Sequence, residues 1–318
     1  MNETPELSVV IPVFGCAGCL RRLHERLVGA LEPISPAFEI VLVDDRSTDG
    51  AWDVMQELAR GDSRVRIVRL SRNFGQHGAI TAGLTRSRGR WTVVMDCDLE
   101  EPPEEIPRLY AKAQEGYEIV RAERLGRRHT RFRRVAGRVY RLLFLETSRT
   151  TEYATLSIIS RKVVDAFLSL RDRDREYQLM LDWLGFTQAT VTFEHGAREH
   201  GASTYTMRRL LTVAFDGMYF RTTVLLRLIV VLGFAISLAG GSFAAYAIYV
   251  RIADDSPPGY TSIVVLLLLL SGFIIISLGV VGLYVGRIFD QVKGRPLFVV
   301  EEDLVMSGDE EPITQQWR

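Results

Sequence analysis

Four short apolar runs punctuate the first hundred positions of the chain: "LSVVIPVF", "FEIVLVDD", "VRIVRLS" and "RWTVVMDCD". Their brevity and their richness in Val and Ile predict parallel strands covered on both faces. Between the first two, Leu20, Leu23, Leu27, Ala30 and Leu31 recur at helical spacing over residues 20–31. A second helix is predicted over residues 51–59, with Ser47, Thr48 or Asp49 of "RSTDG" as its cap. Strand alternating with helix is the pattern of a doubly wound, mostly parallel α/β domain, whose ligands bind beyond the carboxyl ends of the strands. The first, second and fourth strands end in "PVFG", "DDRSTDG" and "DCDLEEPP", so two of these three edges are acidic.

The pattern changes in the second half. Residues 228–250 and 261–286 contain no charged residue, and each run exceeds the roughly twenty residues that cross a bilayer as a helix. The polar turn "RIADDSPPGY" separates them, which predicts a two-helix transmembrane hairpin over residues 227–287 with both chain ends on one side. Arg221 and Arg227 precede the hairpin and Arg287, Lys293 and Arg295 follow it, whereas the turn sets Arg251 against Asp254 and Asp255. The positive-inside rule then predicts an integral protein of the cytoplasmic (inner) membrane, with a domain over residues 1–204 and both termini on the cytoplasmic side. Neither run holds Asp, Glu, Lys, Arg or His, so the hairpin reads as an anchor rather than an ion path.

Two further segments point to a membrane surface. Over residues 127–144, Phe132, Val135, Val139, Leu142 and Leu143 fall at helical spacing against Arg128, Arg131, Arg134, Arg138 and Arg141. Over residues 205–226 the same pattern comes from Met207, Leu210, Leu211, Ala214, Phe215 and Met218. Such basic amphipathic helices lie in the headgroup plane and attract anionic lipid heads. Residues 288–318 are expected to form a cytoplasmic tail, disordered from about residue 301 onward.

Composition narrows the classes. Lys+Arg and Asp+Glu both number 39, a balance that argues against a nucleic-acid partner. Cys16, Cys19 and Cys97 make an odd count without a second C-x-x-C, so neither a zinc site nor a disulfide framework is expected, and a reducing compartment is. Cys16 and Cys19 have redox-motif spacing but follow a strand-like run, and the expectation is that they do no redox chemistry. The start "MNETPELSVVIPVF" has no basic region and too short an apolar run for a signal peptide.

Neither a glycine-rich dinucleotide turn nor a Gly-Lys-Ser/Thr phosphate loop follows the first strand. Phosphates then need another positive partner. Asp96 and Asp98, on alternate residues of an extended segment, are expected to face one divalent cation, Mg2+ or Mn2+, while Cys97 points into the fold. A hard cation there would neutralise charge on a departing diphosphate.

Taken in order, "SVVIPVF", "VLVDDRSTDG", "LSRNFGQHGAITAGL", "VVMDCDLEEPP", "GYEIVRAERLGRR", "WLGF" and "REHGASTY", followed by the apolar runs, resemble glycosyltransferase family 2. The closer likeness is to its membrane-anchored polyisoprenyl-phosphate glycosyltransferases, relatives of dolichyl-phosphate mannose synthase. The resemblance covers the chain to about Arg295 and implies a GT-A fold. It implies inverting transfer of a sugar from a UDP- or GDP-sugar to a polyprenyl phosphate, of undecaprenyl or dolichyl type, at the cytoplasmic face, as a single chain or a homo-oligomer.

Position by position, the resemblance sets Pro12, Phe14, Asp44 and Asp45 around the nucleotide base and ribose, with Asn73 and Gln76 at the donor site. Asp96 and Asp98 match the metal-binding D-x-D, and Glu100, where relatives usually have Gln, falls near the ion. Arg124 and Arg127 match an active-site loop, and Arg198 and Ser203 match an "R-x-x-G-x-S" segment over the phosphates. Arginine suits such positions because its planar fork binds phosphate oxygens in pairs.

The departures carry information too. Where relatives read Tyr-Asn-Glu this chain has Phe14, Gly15 and Cys16; where many read "GDFRL" it has "ATLSI", with Thr155 and Ser157; and Thr204 stands in place of a common Lys. A phosphate monoester is already largely ionised at pH 7 and needs no general base, so a lipid-phosphate acceptor tolerates Thr155. A lipid-linked saccharide acceptor would instead need a base, for which Glu152, Glu176 and Asp182 are candidates. The third reading is a nucleotide-sugar-binding membrane scaffold without catalysis. His77 is expected to pack or hydrogen-bond its loop, and His195 and His200 flank Arg198 without a ligand pattern.

Overall fold

The computed structural model describes residues 4–124, 153–170, 172, 175–193, scattered positions between 229 and 249, and 260–305. Two compact units divide the chain: Met1–Gly201 with Arg295–Arg318, and Ala202–Gly294.

The first unit is built on a mixed sheet. In chain order its described elements are β1 (Leu7–Val13), α1 (Ala17–Leu31), β2 (Phe38–Asp44), α2 (Ala51–Gly61), β3 (Val65–Leu70), α3 (Gln76–Arg86), β4 (Trp91–Val94), α4 (Ile106–Ala113), β5 (Ile119–Arg124), β6 (Tyr153–Ser160), α5 (Arg161–Ser169), α6 (Tyr177–Leu184), β7 (Gln188–Phe193) and β8 (Val300–Val305). The sheet order is β7-β5-β6-β4-β1-β2-β3-β8. β3, β2, β1 and β4 run parallel, as the four apolar runs predict. β6 then pairs antiparallel with both β4 and β5, and β8 antiparallel with β3, so the sheet is mixed rather than doubly wound throughout.

Every residue of β1 and β2 is buried, because helices cover both faces. On one face Val9, Ile11 and Val13 meet Leu23 and Leu27 of α1, Met55 of α2 and Ile106 of α4. On the other, Val10, Val41 and Val43 meet Ile80 and Leu84 of α3 and Val163 and Phe167 of α5. Each such aliphatic or aromatic side chain contributes about 1.5–3 kcal/mol of burial free energy. Gly83 lets α3 lie close on this second face, since a Cβ there would stand 2.3 Å from Val10 Cγ1.

α1 buries Leu20, Leu23, Leu27, Ala30 and Leu31, the predicted stripe. Its neighbour α2 draws on Asp49, one of the three expected capping residues. Gly50, at φ 84°, occupies the cap position, while the Asp49 carboxylate accepts the first N–H of two helices, Ala51 at 3.3 Å and Ala17 at 2.8 Å.

The tail requires a correction. Residues 301–305, expected to be disordered, join Val300 in β8 on the open edge of β3. Asp303 supplies the reason: its carboxylate accepts Arg66 Nε at 2.9 Å and Arg86 Nε at 2.6 Å, and its side chain is only 6% exposed. Residues 306–318 lie outside the described residues.

In the second unit the described continuous helix is α7 (Tyr260–Val292), 33 residues long, about 50 Å at the helical rise. Counted over the described residues alone, no helix is long and apolar enough to cross a membrane. The full sequence of α7, uncharged from Thr261 to Gly286, is apolar over that length. The expected two-helix hairpin is not shown: most of residues 228–250 and all of 251–259 lie outside the described residues. So do the predicted amphipathic helices over residues 127–144 and 205–226.

Candidate functional site

β1 pairs with β2 on one side and β4 on the other, all parallel, so the carboxyl ends of the three strands meet at one edge of the sheet. A cleft of about 390 Å³ opens there, lined by Pro12, Phe14, Asp45, Asn73, Gln76, Asp96 and Asp98 together with Val13, Gly15, Cys16, Gly75 and Cys97. Seven residues assigned from sequence thus come together although they span four separate loops.

Asp45 organises one wall. Its two carboxylate oxygens accept the N–H groups of Phe74 at 2.7 Å and Gly75 at 2.8 Å, which fixes the start of α3 to the end of β2. Burial pushes its pKa up, against the pull of those two N–H groups. Gly75 also donates to Asn73 Oδ1 at 3.1 Å, and its φ of 85° with ψ of 161° is a conformation essentially reserved for glycine. Asp44 does not line the cleft. It is fully buried, accepts the Ser47 N–H at 2.8 Å, and lies 3.4 Å from Arg69 Nε, whose guanidinium sits 5.1 Å from the Trp52 ring centroid.

The opposite wall is the D-x-D. β4 ends at Val94 and the chain turns rather than staying extended: Leu99 takes φ 62°, and Asp98 Oδ1 accepts the Glu100 N–H at 3.1 Å. Asp96 is held from two sides. Gln76 Nε2 donates to Oδ1 at 2.6 Å and Thr155 Oγ1 donates to Oδ2 at 2.9 Å. Asp98 is exposed at the cleft. Both carboxylates are hard oxygen donors that suit a divalent cation taking its other ligands from substrate phosphates and water. Among the described residues no three acidic, His or Cys side chains converge, so Asp96, Asp98 and Glu100 do not form a three-carboxylate set.

The middle residue of the motif overturns an expectation. Cys97 is bonded to Cys16, Sγ–Sγ 2.09 Å, whereas the odd cysteine count predicted no disulfide. The partners stand 81 residues apart, and only the pairing of β1 with β4 brings them together. Cys19 remains outside the bond.

The other assigned residues divide between the described and the undescribed. Arg124 is the last residue of β5. Arg127, Arg198 and Ser203 lie outside the described residues, as do Glu152, His195 and His200. Asp182 is engaged by the fully buried Arg121, Nη1 to Oδ1 2.6 Å, and Glu176 precedes α6 without capping it through its side chain. His77 Nδ1 accepts the Tyr177 N–H at 3.3 Å, and burial lowers its pKa. Ser157 is buried against Tyr177, hydroxyl to hydroxyl at 3.0 Å, and burial drives the Tyr177 pKa up.

The family model for glycosyl transferase family 2 matches residues 8–168. The undecaprenyl-phosphate 4-deoxy-4-formamido-L-arabinose transferase of Pseudomonas syringae pv. syringae (strain B728a) is 36% identical over 306 residues, covering 93% of this chain and 90% of that one. An uncharacterized glycosyltransferase, YkcC, of Bacillus subtilis (strain 168) is 32% identical over 307 residues and covers 95% of both chains. Among solved structures, mannosyl-3-phosphoglycerate synthase from Rubrobacter xylanophilus superposes with a TM-score of 0.49 at 18% identity, over 72% of this chain and 75% of that one. The family match covers both walls of the cleft, from Pro12 to Thr155, and the relatives match almost from end to end. The chain belongs to glycosyl transferase family 2 and is a glycosyltransferase.

Proposed function

We propose that the protein transfers a monosaccharide from a UDP- or GDP-sugar to a polyprenyl phosphate, with inversion, using Mg2+ or Mn2+, at the cytoplasmic face of the membrane. The observation that carries this reading is the meeting of Asp45, Asn73, Gln76, Asp96 and Asp98 at one cleft beyond the ends of β1, β2 and β4. Similarity over nearly the whole chain to undecaprenyl-phosphate sugar transferases supports the acceptor class. The uncharged runs at residues 228–250 and 261–286, with their flanking arginines, support a membrane anchor on the same chain.

In this reading Asp96 and Asp98 hold the cation, which supplies charge neutralisation for the departing diphosphate when bound. Gln76 and Thr155 orient Asp96 through its two oxygens. Asp45 does not act as a base, because both its oxygens accept backbone N–H groups. The acceptor phosphate oxygen attacks the anomeric carbon; that C–O bond forms as the bond from the carbon to the diphosphate oxygen breaks, and the diphosphate leaves with the electron pair. A single displacement inverts the carbon. No proton moves, since a phosphate monoester with a second pKa near 6 is largely dianionic at neutral pH. Thr155, a hydroxyl donor to Asp96 rather than a carboxylate, suits such an acceptor.

The test is mass spectrometry of the lipid extract after purified protein is incubated with polyprenyl phosphate, Mg2+ or Mn2+ and a panel of UDP- and GDP-sugars, with Asp98→Asn alongside. A new sugar-phosphate-lipid mass, absent in the variant, is expected. Turnover only with a lipid-linked saccharide would overturn the acceptor class, and donor binding without turnover on either acceptor would overturn catalysis.

A further inference from the structure

The Cys16–Cys97 disulfide joins the two walls of the cleft. Cys16 follows Phe14 and Gly15 on the β1 side, and Cys97 is the middle residue of the D-x-D. The bond is not needed to bring the strands together. β1 and β4 are already paired from Leu7↔Trp91 to Val10↔Val94, and the Met95 N–H donates to Val10 O at 3.2 Å beyond them. Nor does it staple a small core, since both faces of the sheet bury large apolar clusters, and disulfides substitute for a core chiefly in small domains. What the bond adds lies past the end of the ladder, where it fixes the turn at residues 14–16 to the turn at residues 96–98.

Both cysteines are 8% exposed and line the open cleft, where a small thiol can reach them. A third cysteine, Cys19, is outside the bond and partly buried. Cys19 lies in the first turn of α1, three residues after Cys16 at its N-cap, and its N–H donates to Cys16 O at 3.0 Å. On the cytoplasmic side proposed above, a disulfide is characteristically transient, serving catalysis or sensing rather than architecture.

We propose that Cys16–Cys97 is a thiol–disulfide modification site that sets the affinity of the cleft for the nucleotide donor, with Cys19 as its exchanging thiol. The proposal rests on the reading of this cleft as the donor site. In the exchange, a bond forms between the Cys19 and Cys16 sulfurs and the Cys16–Cys97 bond breaks; Cys97 leaves with the electron pair and gains the proton that Cys19 loses. A small dithiol, or two molecules of a monothiol such as glutathione, then supplies two electrons and two protons, reducing Cys16 and Cys19 to thiols and becoming a disulfide itself. The bonded form binds donor more tightly because both turns are held before the ligand arrives. Opening the bond weakens binding about tenfold, within the usual range of coupling between two sites.

The experiment uses the full chain in detergent micelles, equilibrated in a series of reduced and oxidised glutathione buffers. Alkylation mass spectrometry reads which cysteines are bonded, and calorimetric titration with UDP and GDP in the presence of Mn2+ reads affinity. Affinity is expected to fall about tenfold as Cys97 becomes alkylated. Cys16→Ala and Cys97→Ala should each hold the weaker affinity in every buffer, and Cys19→Ser should retain the tighter one but open more slowly in dithiothreitol. Equal affinity on both sides of a verified opening overturns the redox role alone. Cysteines 16 and 97 that stay alkylatable in the most oxidising buffer overturn it as well, while failure of either nucleotide to bind in any buffer overturns the donor-site reading and this proposal together.

Discussion

Thr155 donates its hydroxyl to Asp96 Oδ2 at 2.9 Å, while Gln76 donates to the other carboxylate oxygen. The first aspartate of the D-x-D is thus held by two neutral side chains from different parts of the chain. Thr155→Val keeps the shape and removes the donor, so kcat/KM should fall about tenfold, the kinetic equivalent of about 1.4 kcal/mol. Thr155→Asp should lose more, because a second carboxylate within hydrogen-bond reach of Asp96 disfavours ionisation of the pair. Steady-state kinetics on both variants decide the matter. A gain of activity in Thr155→Asp would mean that the acceptor needs a base.

Gly75 stands at φ 85°, ψ 161°, with its N–H shared between Asp45 and Asn73. A Cβ there meets no neighbour, so the cost of Gly75→Ala is backbone strain alone, about 1–3 kcal/mol. The strain falls on the turn that forms a cleft wall. Nucleotide affinity, measured by titration calorimetry, should therefore drop about tenfold or more while the protein stays folded. Unchanged affinity would place the nucleotide away from this turn.

The parallel half of the sheet was legible because its signal is local. Short Val- and Ile-rich runs report strands buried on both faces, and the stripe of α1 repeats every turn. Three of the features that escaped depend on partners far along the chain or on the pleat of a strand end. "VEEDLV" reads as an acidic tail until Arg66 and Arg86, 237 and 217 residues earlier in the chain, are found beside Asp303. Cys97 reads as a buried small residue until β4 aligns it with Cys16. Asp44 and Asp45 look equivalent as a pair, yet strand alternation buries Asp44 against Arg69 and leaves only Asp45 in the cleft.

Asp62, at the C-terminal end of α2, makes an acid-sensitive clasp. Burial alone would raise its pKa, but hydrogen bonds from the Arg64 side chain and backbone and from His24 outweigh that and hold the carboxyl at about 2, against an ordinary 3.8. A folded-state pKa below the unfolded one means that the unfolded chain binds the proton more readily. The stabilisation is therefore present above pH 3.8 and lost as pH falls from there to about 2. Urea unfolding at several pH values should show Asp62→Asn to be less stable than the parent at pH 6, with the difference shrinking through that window. A constant difference would assign the effect to packing instead.

Asp303 ties β8 to the sheet through two guanidinium groups, with Arg66 and Arg86 exposed by only 11% and 9%. Removing one member of a buried ion cluster leaves the others charged and without compensation, which costs about 3–5 kcal/mol. Asp303→Ala should lower stability by about that much, and Asp303→Asn, which keeps an acceptor oxygen but no charge, by less. Tryptophan fluorescence during urea unfolding reads the loss, since Trp52 is buried on the same half of the sheet, near Arg69. The consequence extends to the cleft: Glu301, two residues earlier on β8, pairs with Arg46 in the loop after β2, and Arg69 lies between Asp44 and Glu302. Detaching β8 should therefore weaken nucleotide binding in Asp303→Ala along with stability. If stability falls while affinity holds, β8 serves the fold alone.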